Sequence, residues 1–226
     1  MNVLIFGASG MVGQGVLREC LLAVDVALVQ GVGRSLTGQS HAKLRELIHG
    51  NMYDYASIES QLQGFDACFF CLGVSSVGMS EPDYTRVTFD LTLAAATTLA
   101  RLNPQMTFIY VSGTGTDSTE QGKSMWGRVK GRTENALQRL PFKGVYLFRP
   151  GVIQPMYGVR SKTKLYQTLY TILSPLLSTL RALMPRWILT TESIGRAMLA
   201  VARRGAGKQV LEPPDIYAVS VVPSIS

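Results

Sequence analysis

Hydrophobic residues along the chain occur in two alternating patterns. Short runs of consecutive apolar residues are followed by longer stretches in which apolar residues recur every three or four positions. The first pattern is typical of strands buried on both faces of a sheet, and the second is typical of amphipathic helices. The chain therefore begins with a predicted strand at "NVLIFG" (2–7) and a predicted helix over residues 11–24.

The same two patterns alternate through the rest of the chain. Further strands are predicted at "VALVQGVG" (26–33), "FDACFFCLG" (65–73), "MTFIYVSG" (106–113), "GVYLFRPGVI" (144–153) and "KQVLEP" (208–213). Further helices are predicted at "HAKLRELIHG" (41–50), over residues 83–102 and 125–140, and at "TESIGRAMLAVARRG" (191–205). Nearly all-apolar strands separated by helices predict an α/β fold, a Rossmann-type doubly wound parallel sheet covered by helices on both faces. The expected strand order is 3-2-1-4-5-6, with an additional C-terminal strand.

The pattern predicts a single domain with three parts. Residues 1–155 form the core of the domain, residues 156–190 a helical segment near the cleft, and residues 191–226 the closing helix and strand. Within the middle part, residues 160–186 contain five Lys and Arg residues and no acid. Their apolar stripe is formed by Leu165, Leu169, Ile172, Leu176, Leu180 and Leu183, and Ser174-Pro175 can start a second helix. Three roles stay open for this segment: a lid or substrate wall, an amphipathic helix on an anionic membrane surface, or the contact of a homodimer.

Composition narrows the class of protein. With 46% hydrophobic and 16% charged residues, the chain resembles an ordinary soluble globular protein. Residues 1–120 hold 6 basic and 11 acidic side chains, whereas residues 121–226 hold 16 basic and 4 acidic ones. The basic half favours an anionic ligand, but no helix-turn-helix or aromatic-interleaved basic patch supports nucleic acid binding. Because the sequence opens directly on an apolar run and shows no stretch typical of a membrane span, a cytoplasmic protein is expected.

The cysteines and histidines argue against redox and metal chemistry. Cys68 and Cys71 form a C-x-x-C pattern, but the surrounding "DACFFCLG" is typical of a buried strand, so we expect core packing. His41 and His49 are the only histidines in the sequence, and no cluster with metal-ligand spacing accompanies either. No metal site is expected.

The segment "GASGMVG" places Gly7, Gly10 and Gly13 between the first strand and the first helix. Glycines there allow a tight turn and a close approach of phosphate, while the helix N-terminus presents N–H groups and a partial positive charge. The spacing is G-x-x-G-x-x-G and not the G-x-G-x-x-G of the standard fingerprint, and a glycine-rich turn without ligand is the alternative. The residues expected to contact a pyrophosphate are Gly7, Ser9, Gly10, Met11, Val12 and Gly13.

The second strand ends in "GVGRS", where a cofactor with a free ribose 2′-hydroxyl usually meets an Asp or Glu. Arg34 and Ser35 stand there instead, and a guanidinium suits a 2′-phosphate. The sequence therefore predicts NADP(H) in preference to NAD(H), with an exposed loop arginine as the alternative.

Other cofactor contacts are expected mainly from topology. Asn51 and Met52 are expected beside the adenine, and Leu72, Gly73 and Val74 in a loop that passes the cofactor ribose. Pro150, Gly151 and Val152 are expected at the nicotinamide end, where the first two leave room for the ring. Arg149 next to them fits a structural role as well as a functional one.

Six motifs recur together in order over residues 2–155: "GASGMVG", "GRS", "DYAS…GFDACFFCLG", "YVSG", "VKGRTE" and "FRPGVI". In these motifs the chain resembles an atypical short-chain dehydrogenase/reductase of the NAD-dependent epimerase/dehydratase type, in the Tat-interacting-protein-like branch. The resemblance implies an active site of a serine and a Tyr-x-x-x-Lys motif. Ser112 would then hydrogen-bond a substrate carbonyl, and Lys130 would hold the nicotinamide ribose and lower the pKa of the acid. The position of the tyrosine is occupied by Trp126, one helical turn before Lys130.

Indole has no proton to give near neutral pH, so the usual general acid is missing. Three explanations stay open. Another residue is the acid, with Tyr157 the best candidate because Tyr110 is expected to be buried in its strand. Alternatively, water is the acid, or the site binds the cofactor without catalysis. A strand-end hydroxyl at Ser112 and a surface lysine at Lys130 are the alternative to an active site. The sequence thus predicts an NADP(H)-binding oxidoreductase-like protein acting on a small carbonyl substrate, or a catalytically silent NADP(H)-sensing regulator or scaffold.

Overall fold

Seven parallel strands form the central sheet of the computed structural model, which describes residues 1–159, 181 and 183–222. In chain order they are β1 (Asn2–Phe6), β2 (Leu28–Gly33), β3 (Leu44–Ile48), β4 (Ala67–Phe70), β5 (Thr107–Val111), β6 (Gly144–Phe148) and, after two further strands, β9 (Val210–Leu211). The order across the sheet is β3-β2-β1-β4-β5-β6-β9. Two short strands, β7 (Val152–Gln154) and β8 (Ile188–Thr190), pair in parallel beside it.

Helices connect the strands. They are α1 (Met11–Leu22), α2 (Glu81–Thr85), α3 (Leu91–Leu102), α4 (Met125–Leu137), α5 (Thr191–Arg204) and α6 (Pro213–Val221). A 3₁₀ helix spans Ala56–Leu62, and a π-helical turn, Arg86–Asp90, joins α2 to α3. The capping box at Thr190 and Ser193 starts α5, and Gly205, at φ +73°, ends it.

Two hydrophobic cores lie on opposite faces of the sheet, because successive side chains of a strand point to opposite sides. In β1, Val3 and Ile5 belong to one core, and Leu4 and Phe6 belong to the other. The first core also contains apolar residues of α1, α5 and α6, and the second contains residues of the 3₁₀ helix, α3 and α4. This arrangement confirms the predicted doubly wound fold. The observed order follows 3-2-1-4-5-6 with an additional C-terminal strand only when β3, which was not among the predicted strands, is counted.

The prediction of a helix over residues 41–50 is wrong, because this segment contains strand β3. Its apolar positions Leu44, Leu47 and Ile48 fit one helical turn as well as a half-buried strand. Pairing decides between them: Val29 to Gly33 of β2 lie in parallel register with Leu44 to Ile48. An edge strand is half exposed, so it lacks the continuous apolar run by which the buried strands are found.

Two other elements differ from expectation. The strand expected over 144–153 ends at Phe148, and the chain leaves the main sheet before β7 begins. Helix α6 was not predicted, although Glu212 and Asp215 form a reciprocal cap around its prolines. Most of the basic segment 160–186, including Ser174-Pro175, lies outside the described residues.

Among the described helices, none combines the length and apolarity needed to cross a bilayer.

The cysteines behave as core residues. Cys20 and Cys68 are fully buried, Cys71 is partly buried, and all three are free thiols. Burial raises the pKa of Cys71 to about 12 and that of the Cys68 thiol well above its usual range. The C-x-x-C pattern therefore lacks the low-pKa thiol that disulfide exchange requires.

Candidate functional site

The turn between β1 and α1 requires glycine at two positions, Gly7 and Gly13. Gly7 has φ +81°, and a Cβ there would lie 2.9 Å from the backbone nitrogen of Leu72. A Cβ on Gly13 would lie 2.1 Å from the Gly7 carbonyl oxygen. The turn is closed by a hydrogen bond from the Gly10 N–H to the Gly7 carbonyl at 2.9 Å. The glycines thus draw the strand, the helix and the loop after β4 together.

The N-terminus of α1 is open to an anion. Its N-cap is Gly10, which has no side chain to cap the helix, and its first turn contains no acid. Met11 and Val12 begin the helix, and Gln14 donates its backbone N–H to the Gly10 carbonyl at 2.8 Å. A helix end with this character stabilises a phosphate through unpaired N–H groups and the helix dipole.

Arg34 stands beside this turn with its charge unpaired. Phe6 lies opposite Val32 in the parallel register of β1 and β2, so the residues that follow both strands are neighbours. Arg34 and Ser35 are exposed, and no hydrogen bond or ion pair joins Arg34 to any described residue. A free guanidinium at this place is available to a ligand phosphate.

An acid that sequence reasoning missed lies on the neighbouring strand. Glu46 of β3 accepts a hydrogen bond from the Thr37 backbone N–H at 2.6 Å and so anchors the loop that carries Arg34. It forms no ion pair with Arg34. The incorrect helix assignment hid Glu46, because its position depends on the pairing of β3 with β2.

The two residues expected beside an adenine differ in exposure. Asn51 is exposed, and its side-chain oxygen accepts from the Tyr53 N–H at 3.1 Å. Met52 is 5% exposed and packs into the second core with Val32 and Tyr55. Met52 therefore offers little surface to a ligand, and Asn51 is the accessible member of the pair.

Lys130 is buried at the carboxyl ends of β4 and β5. The residue is 7% exposed, so a surface lysine is the wrong interpretation. Its Nζ lies 3.4 Å from the Val111 carbonyl oxygen, 3.9 Å from where a Cβ of Gly73 would be, and 5.2 Å from the centre of the Tyr110 ring. Desolvation by burial lowers the Lys130 pKa to about 8, against the opposing effect of the Glu134 carboxylate.

The loop after β4 forms the wall opposite this ammonium group. Leu72 lies against Gly7, Gly73 faces Lys130, and Val74 is half exposed. The loop expected to pass a cofactor ribose is thus in contact with both the glycine turn and the lysine.

Ser112 belongs to a buried polar cluster. Its hydroxyl lies 2.5 Å from Glu134 Oε1 and 3.1 Å from the Phe148 carbonyl oxygen, and it can donate to one of them at a time. Glu134 is 1% exposed and forms an ion pair with Arg149, whose Nε donates to the same Oε1 at 3.1 Å. Arg149 also reaches Ser118 and Glu212, so it ties together β6, α4 and the start of α6. Arg149 therefore has a structural role, and sequence reasoning missed Glu134.

Trp126 lies one turn before Lys130 on α4. Its ring carbons Cη2 and Cζ2 lie 3.1 and 3.2 Å from where a Cβ of Gly115 would be. Two further glycines allow the same loop to pack closely on the helix. A Cβ on Gly127 would lie 2.8 Å from the Gly115 carbonyl oxygen, and a Cβ on Gly131 would lie 1.7 Å from the Asp117 carbonyl oxygen. Trp126 is partly exposed, and no described residue accepts a hydrogen bond from its indole N–H.

Tyr157 does not join Ser112 and Lys130. Its hydroxyl donates to Glu192 Oε2 at 2.8 Å, and the Arg18 guanidinium covers its ring at 3.7 Å. Those partners are on α5 and α1, which pack on the face of the sheet opposite α4. The hydrogen bond to Glu192 also raises the Tyr157 pKa, so the structure gives no support to Tyr157 as the replacement acid. Tyr110, the other tyrosine considered, is fully buried as expected.

The turn after β6 lies beside the loop that carries Gly115. The Pro150 carbonyl accepts from the Thr114 N–H at 3.0 Å, and Gly151 faces the Thr114 hydroxyl. Val152 is about half exposed at the start of β7. The segment expected at the nicotinamide end is therefore adjacent to the Trp126 loop.

Together these residues have the features of a dinucleotide-binding site. The glycine turn packs β1, α1 and the loop after β4 tightly together and leaves the N-terminus of α1 without a capping side chain or an acid. Arg34 is free for a phosphate, and Lys130 is a buried cation with one long hydrogen bond. The sequence profile of the NAD dependent epimerase/dehydratase family matches residues 3–125, and the chain belongs to that family. Within it, the chain is an atypical short-chain dehydrogenase/reductase.

Individual proteins are similar to this chain in sequence or in fold. The chain is 30% identical to Protein HTATIP2 of Rattus norvegicus over 156 residues, which are 67% of this chain and 62% of that protein. It is 27% identical to Protein FMP52, mitochondrial, of Eremothecium gossypii over 155 residues, 68% of this chain and 66% of that protein. The chain thus matches less than two thirds of the length of these curated relatives. The crystal structure of the Bordetella bronchiseptica enzyme WbmF in complex with NAD⁺ has the same fold, with a TM-score of 0.66 and 16% identity over 97% of this chain and 76% of that one.

Proposed function

We propose that this protein is an NADP(H)-dependent oxidoreductase that acts on a carbonyl or the corresponding alcohol without the usual active-site tyrosine. The observation that carries the proposal is Lys130, a buried ammonium at the ends of two central strands with one acceptor at 3.4 Å. Burying a cation with so few partners is unfavourable unless a ligand completes its hydrogen bonds. The ribose hydroxyls of a dinucleotide would do so.

Each part of the cofactor has matching residues. The pyrophosphate would lie at the N-terminus of α1, over Gly10 and Gly13. The 2′-phosphate would be held by Arg34 and Ser35, and this supports NADP(H) in preference to NAD(H). When bound, the nicotinamide supplies or accepts the hydride.

A catalytically silent NADP(H) sensor or scaffold is the second candidate. Two observations favour it: Trp126 stands at the position of the acid, and the Ser112 hydroxyl is engaged by Glu134 at 2.5 Å. Both candidates bind the cofactor, so they differ in hydride transfer and not in affinity.

The experiment that tests the cofactor assignment is a calorimetric titration with NADPH and NADH of the wild type and of Arg34→Ala. Loss of a hydrogen bond to a charged group costs roughly 1.5–3 kcal/mol, so NADPH affinity should fall about 10- to 150-fold while NADH affinity is unchanged. Arg139→Ala is the control, because Arg139 is also exposed but follows α4 on the far side of the sheet from the glycine turn. Equal weakening of both cofactors would refute the 2′-phosphate assignment, and no binding of either by the wild type would refute the proposed function.

A further inference from the structure

Reduction of a carbonyl requires a proton as well as a hydride, and the described part of the site has few groups that can give one. Trp126 does not titrate usefully, and the Ser112 hydroxyl is directed to Glu134 or Phe148. Tyr110 is fully buried, and Tyr157 is bonded to Glu192 on the other face of the sheet.

Three further titratable side chains in the described part of the chain are remote or unsuitable. His41 and His49 flank β3, which is four strand positions from β5 and therefore about 19 Å away. Cys71 follows β4, but burial raises its pKa to about 12. Glu134 is held in an ion pair by Arg149, so among the described residues at this end of β4 and β5 Lys130 is the group that remains.

We propose that Lys130 is itself the general acid of this site, in place of the missing tyrosine. The inference rests on the proposed function and assigns the proton within it. The Nζ has three N–H bonds, and one described acceptor, the Val111 carbonyl at 3.4 Å, engages at most one of them. Its other N–H bonds are available between Gly73 and the end of β5, at the edge of the sheet where the nicotinamide end of the cofactor is expected.

The surroundings of Lys130 suit an acid that works near neutral pH. The charged group that acts on it is Glu134, on its own helix, and Tyr110 of β5 faces it through the ring. Tyr84 of α2 acts on Tyr110 in turn. Desolvation outweighs the attraction of Glu134 and brings the Lys130 pKa to about 8, close to the value at which a general acid is most effective.

The step balances without another reactant. In the reducing direction, the dinucleotide would supply a hydride to the carbonyl carbon, and the π electrons of the C=O bond would move to oxygen. One N–H bond of Lys130 breaks, its proton forms the new O–H bond, and a neutral amine remains. A solvent water then returns a proton to the amine and leaves hydroxide in the bulk solvent. In the oxidising direction the neutral amine accepts the alcohol proton.

The edge of the site suggests which carbonyl compounds to use as probes. Three exposed apolar side chains are Val74 after β4, Val152 in β7 and Trp187 just before β8. Aromatic carbonyl compounds suit such a rim, so we choose 9,10-phenanthrenequinone and 4-nitrobenzaldehyde.

The test compares Lys130→Arg and Lys130→Ala with the wild type. Arginine keeps the positive charge but does not lose its proton in this pH range, so NADPH should still bind within a few-fold while kcat falls about 10²- to 10⁴-fold. Added ethylamine should restore part of the turnover of Lys130→Ala and leave that of the wild type unchanged. The control is Lys143→Ala, which removes an exposed lysine at the opposite end of the strands. Thermal melting of each variant checks that it is folded.

A second readout does not depend on turnover. In ¹³C-lysine NMR of the protein without cofactor, the resonance that Lys130→Arg abolishes should titrate near pH 8, and the wild-type kcat should fall above the same pH. A midpoint near 10.5, or Lys130→Arg activity equal to that of the wild type, would overturn the proposal.

The remaining outcomes separate this proposal from the proposed function. A wild type that binds NADPH but reduces neither probe overturns the acid role and identifies the silent binder. Parallel loss of NADPH binding and turnover in both variants, without amine rescue, leaves Lys130 a binding residue only. A wild type that binds no dinucleotide refutes the proposed function itself.

Discussion

The indole ring of Trp126 lies directly over Gly115, with Cη2 3.1 Å from the point where a Cβ would stand. Gly115 also has φ +93°, a conformation that residues with a side chain rarely adopt. The position thus requires glycine for two reasons, its positive φ and the close approach of the Trp126 ring. At the position of the usual tyrosine acid, Trp126 therefore packs helix α4 against the loop that carries Gly115.

Gly115→Ala should therefore destabilise the protein by roughly 2–6 kcal/mol, since strain at positive φ and overpacking each cost about 1–3 kcal/mol. The measurement is urea denaturation followed by circular dichroism. Gly38→Ala is the matched control, because Gly38 has φ +77° and no atom within 4 Å of a Cβ. It should show the strain alone. Equal losses for the two variants would mean that the ring of Trp126 moves aside freely.

Helices α1 and α5 make a second contact that depends on glycine. A Cβ on Gly15 would lie 2.5 Å from the Thr191 Cβ and 2.6 Å from the Thr191 carbonyl oxygen, and one on Gly195 would lie 2.8 Å from the Glu19 Cγ. The two helices cross at small residues, as closely packed helices require. Because α1 carries the glycine turn, this contact also fixes the direction of its N-terminus.

Gly15→Ala should reduce stability by about 1–3 kcal/mol and also weaken NADPH binding. Alanine in a helix normally adds up to about 1 kcal/mol relative to glycine, but here the backbone of Thr191 must move, and overpacking outweighs that gain. Calorimetry with NADPH and urea denaturation measure the two effects. Gly50→Ala, in open space outside the helices, is the control and should change neither. A more stable Gly15→Ala protein would show that α5 shifts without cost.

The sequence was sufficient for features that depend on neighbours along the chain. The turn from β1 into α1 is visible as "GASGMVG", and the shared helical face of Trp126 and Lys130 follows from a spacing of four residues. The parallel sheet follows from the apolar strands that alternate with helices.

Features that depend on distant partners were not predictable in this way. Glu134 meets Ser112 across 22 positions and Arg149 across 15, and neither spacing has a period that a pattern could detect. Gly127 and Gly131 have the i, i+4 spacing of a small-residue helix face, which was a usable signal for the loop contact. Strand β3 was missed because an edge strand is specified by its partner β2 more than by its own pattern.

Lys130 should lower the stability of the protein at neutral pH, and the sign of its pKa shift shows how this can be measured. Its pKa falls from 10.5 to about 8 on folding, so between these pH values the unfolded chain binds the additional proton. The free energy of unfolding therefore rises by about 3 kcal/mol as the pH increases from 8 to 10.5. Below pH 8 the folded protein bears the full cost of burying the charged ammonium group.

Lys130→Met should therefore raise the free energy of unfolding at pH 7 by up to about 3 kcal/mol, and this gain should shrink as the pH approaches 10.5. Glu134 keeps Arg149 and Ser112 as partners, so the substitution leaves no orphaned carboxylate. Urea denaturation of both proteins at pH 7 and pH 10 gives the comparison, with Lys143→Met as the control, which should differ from the wild type at neither pH. A Lys130→Met protein that is less stable than the wild type at pH 7 would show that the ammonium is a structural element. A more stable one that has lost hydride transfer would show that the cost of burying this charge is retained for function, as is usual for strained active sites.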